Sequence, residues 1–174
     1  MRMNSLQRII VATTALLLLA ACAGQAKVVS PVHTVPSVDL ARYAGLWHEI
    51  ARYPNIFQKG CRDSTATYRL RPDGEMDVIN RCLKGADGKS SEVKGHAWPA
   101  DSGDMTRLKV SFFWPFRSDY WIIDLGDNYE YAVVGTPDRE YLWILARQPK
   151  LSAELYGSIL RRVEQQGFDP ARLQ

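Results

Sequence analysis

The chain has 174 residues, 46% hydrophobic and 24% charged, with 22 lysines and arginines against 19 acids and a formal net charge of +3. That length and composition fit one globular domain and exclude a fibrous or disordered chain. The near-balanced charge, with no basic stripe or charge block, argues against a nucleic-acid partner.

The N-terminus reads as a targeting device. Arg2 and Arg8 precede an uncharged run from Ile9 to Ala21. This run is too short to span a bilayer, which takes about 20 apolar residues. It ends in Leu19-Ala20-Ala21-Cys22, which resembles the bacterial lipoprotein box. The alternative is an ordinary secretory signal followed by a coincidental cysteine. The resemblance implies that residues 1–21 are a signal peptide and that Cys22 is lipidated. It also implies a mature chain anchored in the bacterial cell envelope, with Ala23 favouring the outer membrane. Two or more acyl chains suffice for stable anchoring. Losing the two arginines brings the net charge to about +1. Export also means an oxidising compartment, so Cys61 and Cys82 are expected to form a disulfide.

Residues 22–37 carry two prolines and no periodicity, as expected of a flexible tether. Val38 to Tyr43 predicts one helical turn capped by Asp39. From there the hydrophobic period is two for about 100 residues. Strands are predicted near 45–54, 62–71, 75–82, 91–98, 105–113, 119–125, 129–135 and 140–147. They are separated by turn chemistry such as Pro72-Asp73-Gly74 and Gly126-Asp127-Asn128. Ser152 then caps an amphipathic helix with Leu155, Ile159 and Val163 on one face, and Gly167 stops it before Phe168.

Eight consecutive strands joined by short loops predict an antiparallel up-and-down meander. Left flat, it would expose two edges. Closure into an eight-stranded barrel removes both and leaves room for one small ligand, with the helix packed outside. The alternative on pattern alone is a two-sheet sandwich with a filled core.

Gly45-Leu46-Trp47 at the start of the first strand resembles the first signature of the lipocalins. Asp127 with Tyr129, between strands six and seven, is a departed version of the second. Arg147 at the end of "YLWILARQP" matches the third. The stretches "WHEIARYPNIFQKG" and "YRLRPDGEMDVINR" look like bacterial lipocalins and apolipoprotein D. The likeness runs from residue 38 to about 170, and the domain is placed at 38–174. Counting strand reversals puts Trp47, Asp127 and Arg147 at one end. There Trp47 plugs the floor, Arg147 stacks on its indole, and Gly45 admits the preceding turn.

The same count places residues 54–62, 83–90, 114–118 and 135–140 at the open end, with Cys61 and Cys82 on neighbouring strands. Alternation from Trp47 predicts Glu49, Ala51 and Tyr53 inward, with His48, Ile50 and Arg52 outward. On the last strand it predicts Tyr141, Trp143 and Leu145 inward. In apolipoprotein D-like members the matching tryptophan lines the pocket, which makes Trp143 the leading ligand contact. Tyr141, Tyr53, Tyr68, Phe113, Tyr120 and Tyr131 are further candidates. Lys59, Arg62, Lys84, Lys89, Arg117 and Arg139 form a basic rim, where Arg117 is the candidate for a ligand headgroup. Glu49 would repel a carboxylate deep in the cup, so the head is expected at the rim.

The resemblance implies a membrane-anchored protein that stores or transports fatty acids or lysophospholipids, without catalysis. The alternatives are a lipocalin-fold enzyme and a purely structural lipoprotein. No nucleophile elbow, phosphate loop or metal spacing supports chemistry, and His33, His48 and His96 are scattered. Some lipocalin isomerases use a lone pocket cysteine, which Cys61 would supply if unpaired. No cofactor and no metal are expected. A homodimer is left open, since no apolar stripe decides it.

Overall fold

The computed structural model describes residues 30–174. The expected signal peptide, Cys22 and the first part of the expected tether lie outside the described residues. A single turn, α1 (Leu40–Tyr43), leads into eight strands. These are β1 (Gly45–Arg52), β2 (Cys61–Leu70), β3 (Met76–Lys84), β4 (Lys89–Pro99), β5 (Arg107–Phe113), β6 (Phe116–Leu125), β7 (Tyr131–Gly135) and β8 (Leu142–Ala146). Each pairs antiparallel with the next, and β8 pairs back onto β1, closing the barrel. The helix α2 (Ala153–Gln165) follows, then a 3-10 turn at Pro170–Arg172.

Alternation along the strands produces two separate apolar layers. Trp47, Ala66, Tyr68, Val78, Ala97, Val110, Tyr120, Val134 and Leu145 face the barrel axis. Ala51, Val133, Leu142, Ile144 and Ala146 face outward beneath Ile159 and Val163 of α2. The helix starts where the Ser152 hydroxyl accepts from the Leu155 N–H at 3.2 Å. It stops at Gly167, whose φ of +83° suits glycine. Phe168 then drops into the space left by Gly135, where a Cβ would stand 2.7 Å from its ring. The last residue returns to the sheet, since Gln174 and Arg52 exchange both backbone hydrogen bonds, at 3.1 and 3.0 Å.

Two expectations are corrected here. The β1–β8 register shifts between Glu49 and Ala51, so a bulge resets the alternation. Ala51 and Tyr53 therefore lie in the outer layer, and Arg52, paired opposite Trp143, turns inward. The tether is also shorter than 22–37. Val32 is buried in the outer layer, and the Val35 N–H donates to the Ile122 carbonyl at 3.0 Å. Residues 30–37 are thus a strap held to the wall, because their valines find apolar surface to cover.

Candidate functional site

The closed end is built around Trp47, which is fully buried. Its indole N–H donates to the Tyr43 carbonyl at 2.8 Å. The Arg147 guanidinium lies 3.8 Å from the ring centroid. It also donates to the carbonyls of Arg42, Tyr43, Ala44 and Leu46 at 2.7 to 3.2 Å. Gly45 has a φ of +101°, and a Cβ there would meet Arg147 Nη1 at 3.3 Å. The glycine therefore makes room for the arginine rather than for the chain crossing beneath. Asp127 is at this end too, but its side chain is exposed and its carbonyl accepts from Arg42 at 3.1 Å. Tyr129 makes the closer link, accepting from Asp39 N through its hydroxyl and carrying Arg42 over its ring at 4.1 Å.

Above this plug, Tyr120 shares hydrogen bonds of 2.7 Å with both Tyr43 and Tyr68. Burial raises the ionisation of all three above the ordinary phenol value. Tyr68 and Tyr120 thus lie inside the barrel, next to Tyr43 above the plug. Tyr131 does not enter it. Ala132 and Val134 point inward, so Tyr131 faces α2, where its hydroxyl meets Asp124 and Arg162 at 3.2 and 2.8 Å. Tyr53 is likewise outside, packed on Phe168 with its hydroxyl on the Asp169 backbone.

The upper well is polar on the wall made by β1, β2 and β3. Arg52 Nη1 donates to Glu49 Oε1 at 2.5 Å, with both side chains largely buried. Gln58 reaches in from the β1–β2 loop and donates to Glu49 Oε2 at 2.6 Å. The Trp143 indole N–H donates to Gln58 Oε1 at 2.9 Å. Trp143 in turn stacks on Tyr141, with centroids 5.8 Å apart and planes within 7°. Glu49 therefore does not present a bare negative charge, and its expected repulsion of an anion is cancelled by Arg52. Ser64 and Asn80 share the inward parity of Ala66 and Val78. Their side-chain oxygens, and Arg52 Nε, are buried without a hydrogen-bond partner among the described residues. Buried polar atoms left this way mark a place for another polar group.

The rim differs from expectation in three ways. The β5–β6 register shifts between Val110 and Phe113. Phe112 keeps the inward parity of Leu108 and Val110 and packs against the inner layer, while Phe113 is exposed at the hairpin tip. Arg139 is not a free rim cation, since it donates to the Gln166 carbonyl at 2.7 Å and to the Ser30 carbonyl. Arg117 helps line a recess of about 580 Å³ with Trp98, His96, Trp114 and Lys94. That recess lies at the side of the barrel where the β4–β5 ladder ends at His96 and Ser111, and Gly95 and Phe112 line it as well. Lys59, Lys84 and Lys89 are exposed. Cys61 and Cys82 are joined, with Cα atoms 5.4 Å apart, which removes Cys61 as a free thiol.

Sequence reasoning missed Arg52, Gln58, Ser64 and Asn80. The bulge hid the first. Gln58 sits in a loop without periodicity, whereas strict parity with Ala66 and Val78 would have found the other two. Among the described residues no group of histidines, cysteines or acids could hold a metal ion.

A family model described as a lipocalin-like domain matches residues 38–174. The chain is 38% identical to the outer membrane lipoprotein Blc of Escherichia coli K12, covering 94% of this chain and 92% of that one. It is 37% identical to the Vibrio cholerae protein of the same name, covering 90% of each. With apolipoprotein D of Macaca fascicularis the identity is 37%, over 67% of this chain and 64% of that protein. Insecticyanin from Manduca sexta is similar in fold, with a TM-score of 0.66 and 21% identity over 82% of each chain.

Proposed function

The chain belongs to the lipocalin-like family, and from that premise we propose that it binds one single-chain amphiphile, a fatty acid or lysophospholipid, at the bacterial outer membrane. It does so as a carrier or store, without catalysing a reaction. The observation that carries this reading is the division of the well. An apolar interior of Val78, Val110, Phe112, Val134 and Leu145 suits an acyl tail. The polar wall above it holds Arg52 Nε, Ser64 and Asn80 without partners among the described residues. Arg52 Nε–H and the Ser64 hydroxyl can donate to a carboxylate or phosphate, the guanidinium by a charge-assisted hydrogen bond, whereas Asn80 Oδ1 accepts and suits a hydroxyl of the ligand head. Each buried methylene adds about 0.8 kcal/mol, so a long tail supplies most of the affinity before ordering costs. Relatives named outer membrane lipoproteins support the location and the lipidation of Cys22.

Trp143 is the reporter. Titration with a long-chain fatty acid is expected to change tryptophan emission, and Trp143→Phe to remove most of that change while the melting temperature stays close to that of the parent chain. A response of full size in the folded variant would remove Trp143 from the site. No response in the parent chain, together with no bound lipid, would favour the structural-lipoprotein alternative.

A further inference from the structure

Large apolar side chains exposed to water are unevenly placed on this molecule. Among the described residues there are seven, of which Leu46 and Leu70 lie at the closed end. The other five are at the open end: Ile56 and Phe57 in the β1–β2 loop, 81% and 66% exposed, and Phe113, Trp114 and Phe116 at the β5–β6 tip, 67% to 79% exposed. In an eight-stranded barrel these two connections stand on opposite sides of the mouth, so their side chains define a plane across it. The loops around them are basic. Lys59, Arg62, Lys84, Lys89 and Arg117 stand against Asp63 and Asp87 on the same connections.

The strap gives the orientation. The described chain begins at Ser30, whose carbonyl accepts from Arg139 in the β7–β8 turn, also an open-end connection. Cys22 is eight residues earlier. Eight residues reach at most about 28 Å. A lipid on Cys22 therefore holds the mouth, not the floor, next to the bilayer.

We propose that the open rim docks directly on an anionic phospholipid surface, with Ile56, Phe57, Phe113, Trp114 and Phe116 entering the headgroup–acyl boundary. The basic loops lie against lipid phosphates. The well then opens onto the membrane, and an acyl chain passes between bilayer and barrel without crossing bulk water. This rests on the lipid-carrier reading and on the lipidation of Cys22, and adds the surface from which the ligand is taken or to which it is returned.

The test uses the lipidated full-length protein in phosphatidylethanolamine–phosphatidylglycerol vesicles. Phe116→Cys and, at the closed end, Leu46→Cys each carry an environment-sensitive dye. Cys61 and Cys82 are paired, and lipidation occupies Cys22, so the added thiol is the one labelled. The dye at 116 is expected to shift to the blue, and to be quenched at least twofold more than the dye at 46 by lipids brominated near the top of the acyl chain. A solvent-like dye at 116, or stronger quenching at 46, would overturn the docking. So would energy transfer between copies labelled at 116 at high lipid dilution, which would assign the rim to a second copy of this chain. The Trp143 response is read on the same samples. Its loss with docking intact would count against lipid carriage alone, and its persistence with a solvent-like 116 against docking alone.

Discussion

Arg147 answers several needs with one side chain. It covers Trp47, satisfies carbonyls left open by the α1–β1 turn across the β8–β1 seam, and meets the Tyr129 carbonyl just before β7 at 3.3 Å. Arg147→Ala removes a cation–π contact and leaves those carbonyls without their charged donor, so it is expected to cost about 2–4 kcal/mol. Urea unfolding reads this directly, and an unchanged midpoint would contradict it. The tyrosines above it set a pH limit. Tyr43, Tyr68 and Tyr120 ionise above the ordinary value in the folded protein, and Tyr131 only at about 12. In the unfolded chain they ionise near 10. Folding thus favours the neutral forms: their contribution is complete below pH 10 and is lost as pH rises through the folded values. Alkaline unfolding monitored by tyrosinate absorbance should show these phenols ionising together with loss of structure. Their independent titration near pH 10 in a folded protein would contradict the buried network.

At the scale of elements, most of the fold was legible. The eight strands, the cap at Ser152 and the stop at Gly167 follow from local chemistry that tertiary contacts do not override. All eight strands overlap their predicted spans, with ends that differ by a few residues. What was not legible was facing. One extra residue in β1 reverses the alternation beyond it, and Ile50 is not a turn residue that would announce a bulge. Tyr53 and Arg52 were misplaced for that reason, whereas strict parity with Leu108 and Val110 places Phe112, not Phe113, inside. Tyr131 was misplaced because an aromatic residue suits either layer. The α2 contact gives a prediction at this scale. Gly135→Ala drives a methyl into Phe168 and is expected to cost about 1–3 kcal/mol. Phe168→Leu in the same chain should recover part of that loss, whereas equal costs in both backgrounds would show that the two residues do not meet. Reducing the Cys61–Cys82 bond frees a loop between residues 21 apart, and is expected to lower stability by about 3 kcal/mol without changing the strand content seen by circular dichroism.

At the scale of the molecule, the barrel has a plugged floor, a polar wall beneath its mouth and an apolar rim. The closed ladder removes the sheet edges that an open meander would expose. It also isolates the interior from the outer layer that α2 covers, so the packing of the helix and the proposed ligand contacts fall on different faces of the same strands. The signatures that identify the family lie at the floor and the features that suit a lipid lie above it. For that reason the family was readable from three short motifs, while Arg52, Ser64 and Asn80 had to be located in space. Native mass spectrometry of the purified lipidated protein tests the account most directly. One bound fatty acid or lysophospholipid per chain, displaced by added fatty acid, is the expected result; a chain that carries no lipid and takes up none on titration would contradict it.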